Sequence, residues 1–502
     1  MKLVSTSRIL HRQSSRFRDL FFSTETLTSP SPDSLYERIA VTGDPKISVV
    51  PVLEKWVDEG RSVNKVELNL LIRKLKFLRK FKHALEISQW MTNRRYFELS
   101  PSDAAMRLDL ISKVHGLEHA EKYFASISNK LKALKTYGAL LNCYVREKSV
   151  EKAEALVQNM KSMGFATTSF PYNMLIILYF QTGQHEKIDI LMQEMKEKGI
   201  LHDQFTLNNQ LSAFASASNV RGMEETLNQM EKDPYITIDW NTYAIIANGY
   251  IKAGLFDNAL AMLKKMERII ITQRSTTVGL DYLLSLYSSM GRKDELYRVW
   301  NLYKLSGKRN SSYCCMITSL AKLDDIKGAE MIFKEWESNC AFYDFRVLNR
   351  LLVAYCKNGL FDKAELVLQK AVVGRTPYAS TWNILAMGYV ENKQMSKAVE
   401  MLKKAMLVAR EGWRPNLATL VACLDYLEEK RDVEGVEDLV RLFRATGPLS
   451  RDLYHRLLRI YLAAGKPSSS ILDQMKVDGL PINEETQTIL KTGQDLQVEM
   501  LD

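Results

Sequence analysis

His115 and His119 stand four residues apart on a stretch with helical periodicity, a spacing that puts two imidazoles on one face and suits a pair of metal ligands. No third ligand of matching register accompanies them. The six cysteines, Cys143, Cys314, Cys315, Cys340, Cys356 and Cys423, show neither a CxxC pair nor a Cys/His spacing, so they read as reduced thiols in a non-secretory compartment. The chain carries no glycine-rich phosphate loop, HExxH or nucleophile elbow. It is therefore expected to be no enzyme, to need no cofactor and to bind no metal. What remains is binding chemistry. The run Leu71–Lys82 concentrates Arg73, Lys74, Lys76, Arg79, Lys80 and Lys82, which suits either a phosphate grip or a solvated helix face. Asparagines recur at Asn69, Asn173, Asn208, Asn349 and Asn383, and each amide offers both donors and an acceptor.

Composition narrows the class. Apolar content of 46% and charged content of 25% are those of a folded soluble protein. No uncharged apolar run reaches membrane-spanning length, so no span is expected. The formal charge is +10, but residues 1–22 hold five cations against Asp19 alone and supply +4, leaving +6 for the rest. That N-terminal stretch, MKLVSTSRILHRQSSRFRDLFF, is rich in Arg and Ser and lacks the apolar core of a secretory signal. It reads as a mitochondrial transit peptide over residues 1–22, with a flexible linker over 23–33. A matrix location follows.

The elements that position the asparagines come from periodicity. From residue 34 onward nearly everything reads as helix. Tyr144, Tyr179, Phe214, Tyr250, Tyr287, Tyr355, Tyr389 and Tyr461 hold one place in a recurring unit, with steps of 35, 35 and 36 residues from Tyr144 to Tyr250. Leu320 and Leu427 fill the place where it skips. Gly183, Gly254, Gly291, Gly359 and Gly465 follow four residues after their aromatic. Met160, Met195, Met230 and Met266 repeat in step, as do Ala120, Ala153, Ala259, Ala329, Ala364 and Ala398. Trp240–Met266 shows the unit best: a helix with Tyr243, Ile246, Ala247 and Tyr250 on one face, a turn at Gly254, and a second helix that Asp257 is placed to cap.

Units are expected to begin at Lys65, Pro101, Leu134, Ser169, Gln204, Trp240, Thr277, Asn310, Phe345, Ala379, Leu417 and Arg451. A degenerate cap repeat precedes them at 34–64, the array runs over 65–483, and 484–502 forms a C-terminal tail. The aromatic and methionine columns belong on buried faces. A hairpin this small buries its apolar faces only against its neighbours. The expected fold is all-α, a superhelical α-solenoid of about twelve helix-turn-helix repeats.

The phrases Lys135-Thr-Tyr-Gly-Ala-Leu-Leu-Asn-Cys-Tyr, Phe170-Pro-Tyr-Asn-Met-Leu-Ile, Thr242-Tyr-Ala-Ile-Ile and Thr381-Trp-Asn-Ile-Leu resemble the T-Y-N-x-L-I opening of pentatricopeptide repeats. Tyr355-Cys-Lys-Asn-Gly-Leu-Phe-Asp-Lys-Ala-Glu resembles that family's turn, and Gln193-Glu-Met-Lys-Glu-Lys-Gly-Ile its second-helix ending. The resemblance covers residues 65–483 and is to the plain plant organellar type, without the catalytic domains some relatives append. It implies a right-handed superhelix that binds single-stranded RNA, one base per repeat. It further implies that the fifth residue of each first helix and the last residue of the unit read the base, with the second residue sandwiching it.

On that basis Asn173 with Asp203, and Asn208 with Asp239, imply uridine, with Phe170 and Phe205 as the sandwiching rings. Asn383 with Asn416 implies a pyrimidine, and Asn69 with Ser100 leans to cytidine. Asn349 pairs with Tyr378 and leaves the base open. Elsewhere the fifth residue is Ala105, Gly138, Ala244, Asp281, Cys314, Val421 or His455, and Lys135, Asn241, Arg346 and Asp452 replace the apolar second residue. Reading is therefore expected to be confined to a short pyrimidine patch near 169–239. The expected function is that of an RNA-binding adaptor in organellar RNA stability, processing or translation. The rival is a protein-binding scaffold or a mitoribosome-associated component that touches RNA through phosphates.

Overall fold

Each of the twelve expected unit starts opens a helix in the computed structural model, and the helices that follow pair with them as hairpins. The structure describes residues 34–41, 47–93, 97–272, 277–302, 308–409, 413–430, 432–445 and 449–499. The expected transit peptide and linker lie outside these. All regular structure among the described residues is helical. None of these helices is long and apolar enough to cross a membrane.

The structure divides into two compact units, Met1–Leu263 and Lys264–Asp502, and each is taken by itself. In the first, Leu134–Arg146 packs on Val150–Ser162, Ser169–Thr182 on Glu186–Glu197, and Gln204–Ser216 on Val220–Lys232, while each first helix also packs on the next one. The helices Leu35–Val41 and Val50–Asp58 precede the array, tied down where Glu86 accepts the Val49 N–H at 2.9 Å. In the second, Asn310–Lys322, Phe345–Lys357 and Ala379–Glu391 stack in chain order, each with its own second helix. The final second helix is short, Ser469–Val477. The 484–502 segment differs from a plain tail. Glu484–Glu499 is a helix capped by Asn483 and packed on Arg451–Ala463, burying Thr486 and Ile489. It occupies the place of a further first helix, which the sequence hid because its aromatic and glycine marks are missing.

The marks repeat because each has a physical task. The carbonyl of the aromatic-column residue closes the end of the first helix: Leu255 donates to Tyr250 O at 2.9 Å, Leu360 to Tyr355 O at 3.0 Å, and Gln394 to Tyr389 O at 2.9 Å. That closure needs a left-handed residue four places after the aromatic, and Gly254 and Gly359 supply it with φ of 76° and 67°. Lys148, Ser218, Asp324 and Lys393 hold the same conformation without being glycine. The alanine column is fully buried, Ala120, Ala153, Ala259, Ala329, Ala364 and Ala398 all at 0% exposure. Small residues there let the helix backbones approach. Asp257 lies inside the first turn of Phe256–Thr272 instead of capping it, so it can only complement the helix dipole.

The aromatic column does more than pack. At Tyr179, Tyr355 and Tyr389 the hydroxyl donates to a glutamate on the preceding hairpin, which a lysine of the tyrosine's own hairpin also reaches. Tyr179 and Lys187 both meet Glu154 at 2.8 Å, Tyr355 and Lys363 both meet Glu330 at 2.9 Å, and Tyr389 and Lys397 share Glu365. Burial works to raise the Glu154 and Glu330 carboxyls, yet the lysine and the hydroxyl together bring both below their ordinary value of 4.5. The Tyr389 hydroxyl bond and Lys397 do the same for Glu365.

Two outcomes follow from these contacts. Lys393→Gly relieves a left-handed lysine at an exposed turn and is expected to stabilise by roughly 0.5–1 kcal/mol, read as a rise in denaturation midpoint. The three glutamates have lower pKa values folded than unfolded, so their contribution is complete above 4.5 and declines as pH falls through the folded values. Stability measured by denaturant titration should drop below pH 4.5, with a shallower drop in Glu330→Gln.

Candidate nucleic-acid interface

The residue before each first helix is its N-cap, and this locates the expected readers. A helix start leaves backbone N–H groups without partners, and an Asp, Asn or Ser side chain just ahead satisfies one of them. Asp203 accepts the Thr206 N–H at 2.8 Å, Asp239 the Thr242 N–H at 3.0 Å, and Asn416 the Thr419 N–H at 3.1 Å. Because first helices stack at unit spacing, a cap such as Asp203 can also reach back to the fifth residue of the preceding unit.

Asn173 shows the arrangement most fully. Its amide Nδ2 donates to Asp203 Oδ1 at 3.3 Å, and the Ser169 hydroxyl holds the other carboxylate oxygen at 2.6 Å. Asn173 is 3% exposed and its Oδ1 is buried with no donor. The other expected pairs are built differently. Asn208 Oδ1 accepts the Thr242 hydroxyl at 2.9 Å, and that hydroxyl lies 3.3 Å from Asp239, so threonine stands between the expected partners. Asn383 Oδ1 accepts the Asn416 backbone N–H at 3.3 Å, not its side chain, while Asn383 Nδ2 turns to Met387 Sδ at 3.4 Å.

Two expected pairs do not form. Asn69 Nδ2 donates to Asp103 Oδ1 at 3.1 Å, not to Ser100. Ser100 is locked in a capping box with Asp103, three residues on, which has the longer reach. Lys65 meets the same carboxylate at 2.8 Å; burial works to raise Asp103, but Lys65 and Ser100 bring it below the usual carboxylate range. Asn349 Nδ2 meets Ser380 Oγ at 3.4 Å, because the Tyr378 side chain is half-exposed and packs its ring on Phe345 instead. The carbonyl oxygens of Asn69 and Asn349, like that of Asn173, are buried without a donor.

Phe170 and Phe205 are half-buried beside this row. Phe170 leans back over the preceding unit: a Cβ on Gly138 would lie 3.0 Å from its ring. It fills the space that a fifth residue would occupy there. Arg346 turns onto Asp344, with three contacts of 2.6–2.9 Å, and occupies a carboxylate that would otherwise be available to orient a reader. Within the basic run, Lys76 is bound to Asp109 at 2.5 Å and Lys74 lies over the Tyr36 ring, so the phosphate grip is reduced. His115 and His119 rest ring against ring at 5.7 Å, and among the described residues no group of three or more potential metal ligands forms. The sequence reading missed Thr206, Thr242, Asp103 and Ser380. The spacing Asx-x-x-Thr at 203–206, 239–242, 416–419 and 483–486 is the signal that could have shown the threonines.

Helical hairpins that pack in succession, with first helices aligned at a fixed spacing, define an α-helical repeat protein. The pentatricopeptide repeat model matches residues 135–165, 170–200, 242–269, 311–340, 346–372 and 380–406. A mitochondrial pentatricopeptide repeat-containing protein of Arabidopsis thaliana is 43% identical, the match covering 86% of this chain and 89% of that protein. A second, also named mitochondrial, is 36% identical over 91% and 94%. The large ribosomal subunit protein mL101 of the same plant is 34% identical over 92% of this chain and 96% of its own. Among solved structures, PPR10 in complex with an 18-nt psaJ RNA element is 16% identical with a TM-score of 0.48, covering 98% of this chain and 74% of that one. The chain belongs to the pentatricopeptide repeat family.

The capping contribution of Asp203 is measurable by substitution. Asp203→Ala loses the cap and should cost about 1 kcal/mol, whereas Asp203→Ser keeps a capping oxygen and should stay within a few tenths in a denaturant titration.

Proposed function

We propose that this protein is a mitochondrial RNA-binding adaptor, in the matrix, that holds single-stranded transcript along the first-helix face and thereby serves RNA stability, processing or translation. The observation that carries it is the set of asparagine carbonyl oxygens at Asn69, Asn173 and Asn349, buried at equivalent places with no donor. An unmet buried acceptor costs about 1–3 kcal/mol, so a ligand that brings an N–H to it is rewarded. Nucleobase edges carry such donors. The base displaces what covers the oxygen and stacks on Phe170 or Phe205, a contact worth on the order of 1–3 kcal/mol. The mitochondrial names of the relatives and the Arg-rich N-terminus support the location.

The pyrimidine preference rests on Asn173 with Asp203, Asn208 with Asp239, and Asn383 with Asn416. A second reading is a mitoribosome component with little base readout. The likeness to mL101 and the seven fifth positions without an asparagine favour it.

Binding of the full chain to randomised RNA across a salt series decides between them. Base reading predicts enrichment of adjacent pyrimidines that Asn173→Ala with Asn208→Ala abolishes. Steep salt dependence without enrichment supports the ribosomal reading. Absence of binding at low salt rejects both.

A further inference from the structure

The first helix that opens the array, Lys65–Phe77, differs from later ones in how one of its faces is covered. The sixth residue of a first helix points back to the helix before it. Within the second compact unit, Cys315 and Arg456 show this by meeting Asp281 O and Val421 O, backbone atoms of the preceding fifth residues, at 3.0 and 3.1 Å. Within the first, Ser169–Thr182 and Trp240–Lys252 pack on the first helices before them, and their sixth residues, Met174 and Ile245, are 7% and 3% exposed. Leu70 holds the same place in Lys65–Phe77 and is 52% exposed. Val66 and Phe77, four residues before it and seven after, are 65% and 72% exposed, and these spacings put all three on one face. The helix ahead, Leu35–Val41, has seven residues against thirteen. It meets the opening helix at Tyr36, whose ring centroid lies 3.2 Å from Lys74 Nζ, and leaves the stripe open. The charge around the stripe has one sign. Residues 65–82 hold seven cations against Glu67 alone. Lys65 and Lys76 are paired with Asp103 and Asp109. Among the described residues Arg73, Arg79 and Lys82 are exposed and have no carboxylate partner. Arg73 lies on the stripe itself, between Leu70 and Phe77.

We propose that this face docks an α-helix of a partner protein, laid alongside Lys65–Phe77 in the place of a preceding first helix and carrying an apolar seam flanked by Asp or Glu. A helix fits because the stripe has helical spacing and because first helices of this array already pack side by side. The flanks are acidic because Arg73 and Arg79 stand unpaired beside the stripe, and complementary charge selects the partner and fixes its register. A stacked nucleobase requires a flat ring, which Val66 and Leu70 do not offer. A bilayer interface requires an apolar face, and Arg73 interrupts this one. Residues 1–22 of the chain itself, with five cations against Asp19, have the same sign of charge as the face and are repelled by it. The inference does not rest on base reading.

Fluorescence anisotropy with the full chain tests this. The probe is a labelled synthetic peptide of about three heptads with Leu at a and d and Glu at e and g, the glutamates also keeping it from pairing with itself. The full chain should bind it and discriminate against the matching peptide with Lys at e and g. Leu70→Ser and Phe77→Ser, both at exposed places, should each weaken binding about tenfold. Arg73→Glu should shift the preference toward the Lys peptide by about tenfold. Circular dichroism checks that each variant keeps its helices. No binding of the Glu peptide overturns the inference, as does equal binding of the two peptides or binding that survives Leu70→Ser combined with Phe77→Ser. Oligouridine or phosphatidylglycerol vesicles that bind in a Phe77-dependent way where the peptide does not would assign the face to RNA or to a membrane, and overturn it too.

Discussion

Unpaired N–H groups at the start of a helix set the constraint on which the described contacts turn: at Asp203, Asp239 and Asn416 a short polar side chain immediately ahead of a first helix satisfies one of them. Stacking at unit spacing then carries that side chain to the fifth residue of the unit before. Asp203 accordingly accepts from Thr206, Ser169 and Asn173 together. A capping residue alone says nothing of recognition. Asp325, Asn219 and Asp432 cap second helices by bonding Gly328, Gly222 and Gly435, and Asp325 meets the Tyr297 hydroxyl and Lys293 beside its cap. What distinguishes the first-helix caps is their neighbour, not their identity.

That neighbour relation depends on hairpins keeping a fixed spacing. The tyrosine–glutamate–lysine contacts supply it locally, since each glutamate belongs to one hairpin and its two partners to the next. The ring buries apolar area while the hydroxyl finds a carboxylate, so the tyrosine packs without leaving a polar atom unmet. Stability of this kind is a sum of nearest-neighbour terms. The surroundings of each asparagine are therefore the property of two hairpins: one supplies the amide, and the following one supplies the group it meets, as Asp203 does for Asn173 and Thr242 for Asn208.

Helix starts, turns and buried columns were legible in the sequence because each is set by a local rule with a characteristic residue. Glycine marks left-handed turns, alanine the close contacts, and the period fixes which residues are equivalent. The glycine signal weakened at Lys148, Ser218, Asp324 and Lys393, where the backbone adopts the turn without it. The site was less legible, because a hydrogen bond depends on side-chain reach as well as register. Asp103 outreaches Ser100 toward Asn69, and Thr242 comes between Asn208 and Asp239. The final helix was missed for a related reason: Glu484–Glu499 is recognisable by its cap and by what it packs against, not by its own pattern.

Positions that depart from the asparagine pattern are not all empty places awaiting a side chain. At Gly138 the Phe170 ring occupies the room, so an asparagine introduced there must first move an aromatic ring that packs across two units. At Cys314 the matching cap, Asp344, is engaged by Arg346 and by Asn310 at 3.0 Å. Burial works to raise the Asp344 carboxyl, yet its bonds to Arg346 and Asn310 bring it below its usual value. An amide placed at 314 would find its orienting group taken. Placing an asparagine in either unit therefore requires changing the neighbour that occupies its surroundings, the Phe170 ring at 138 and the Arg346 guanidinium at 314.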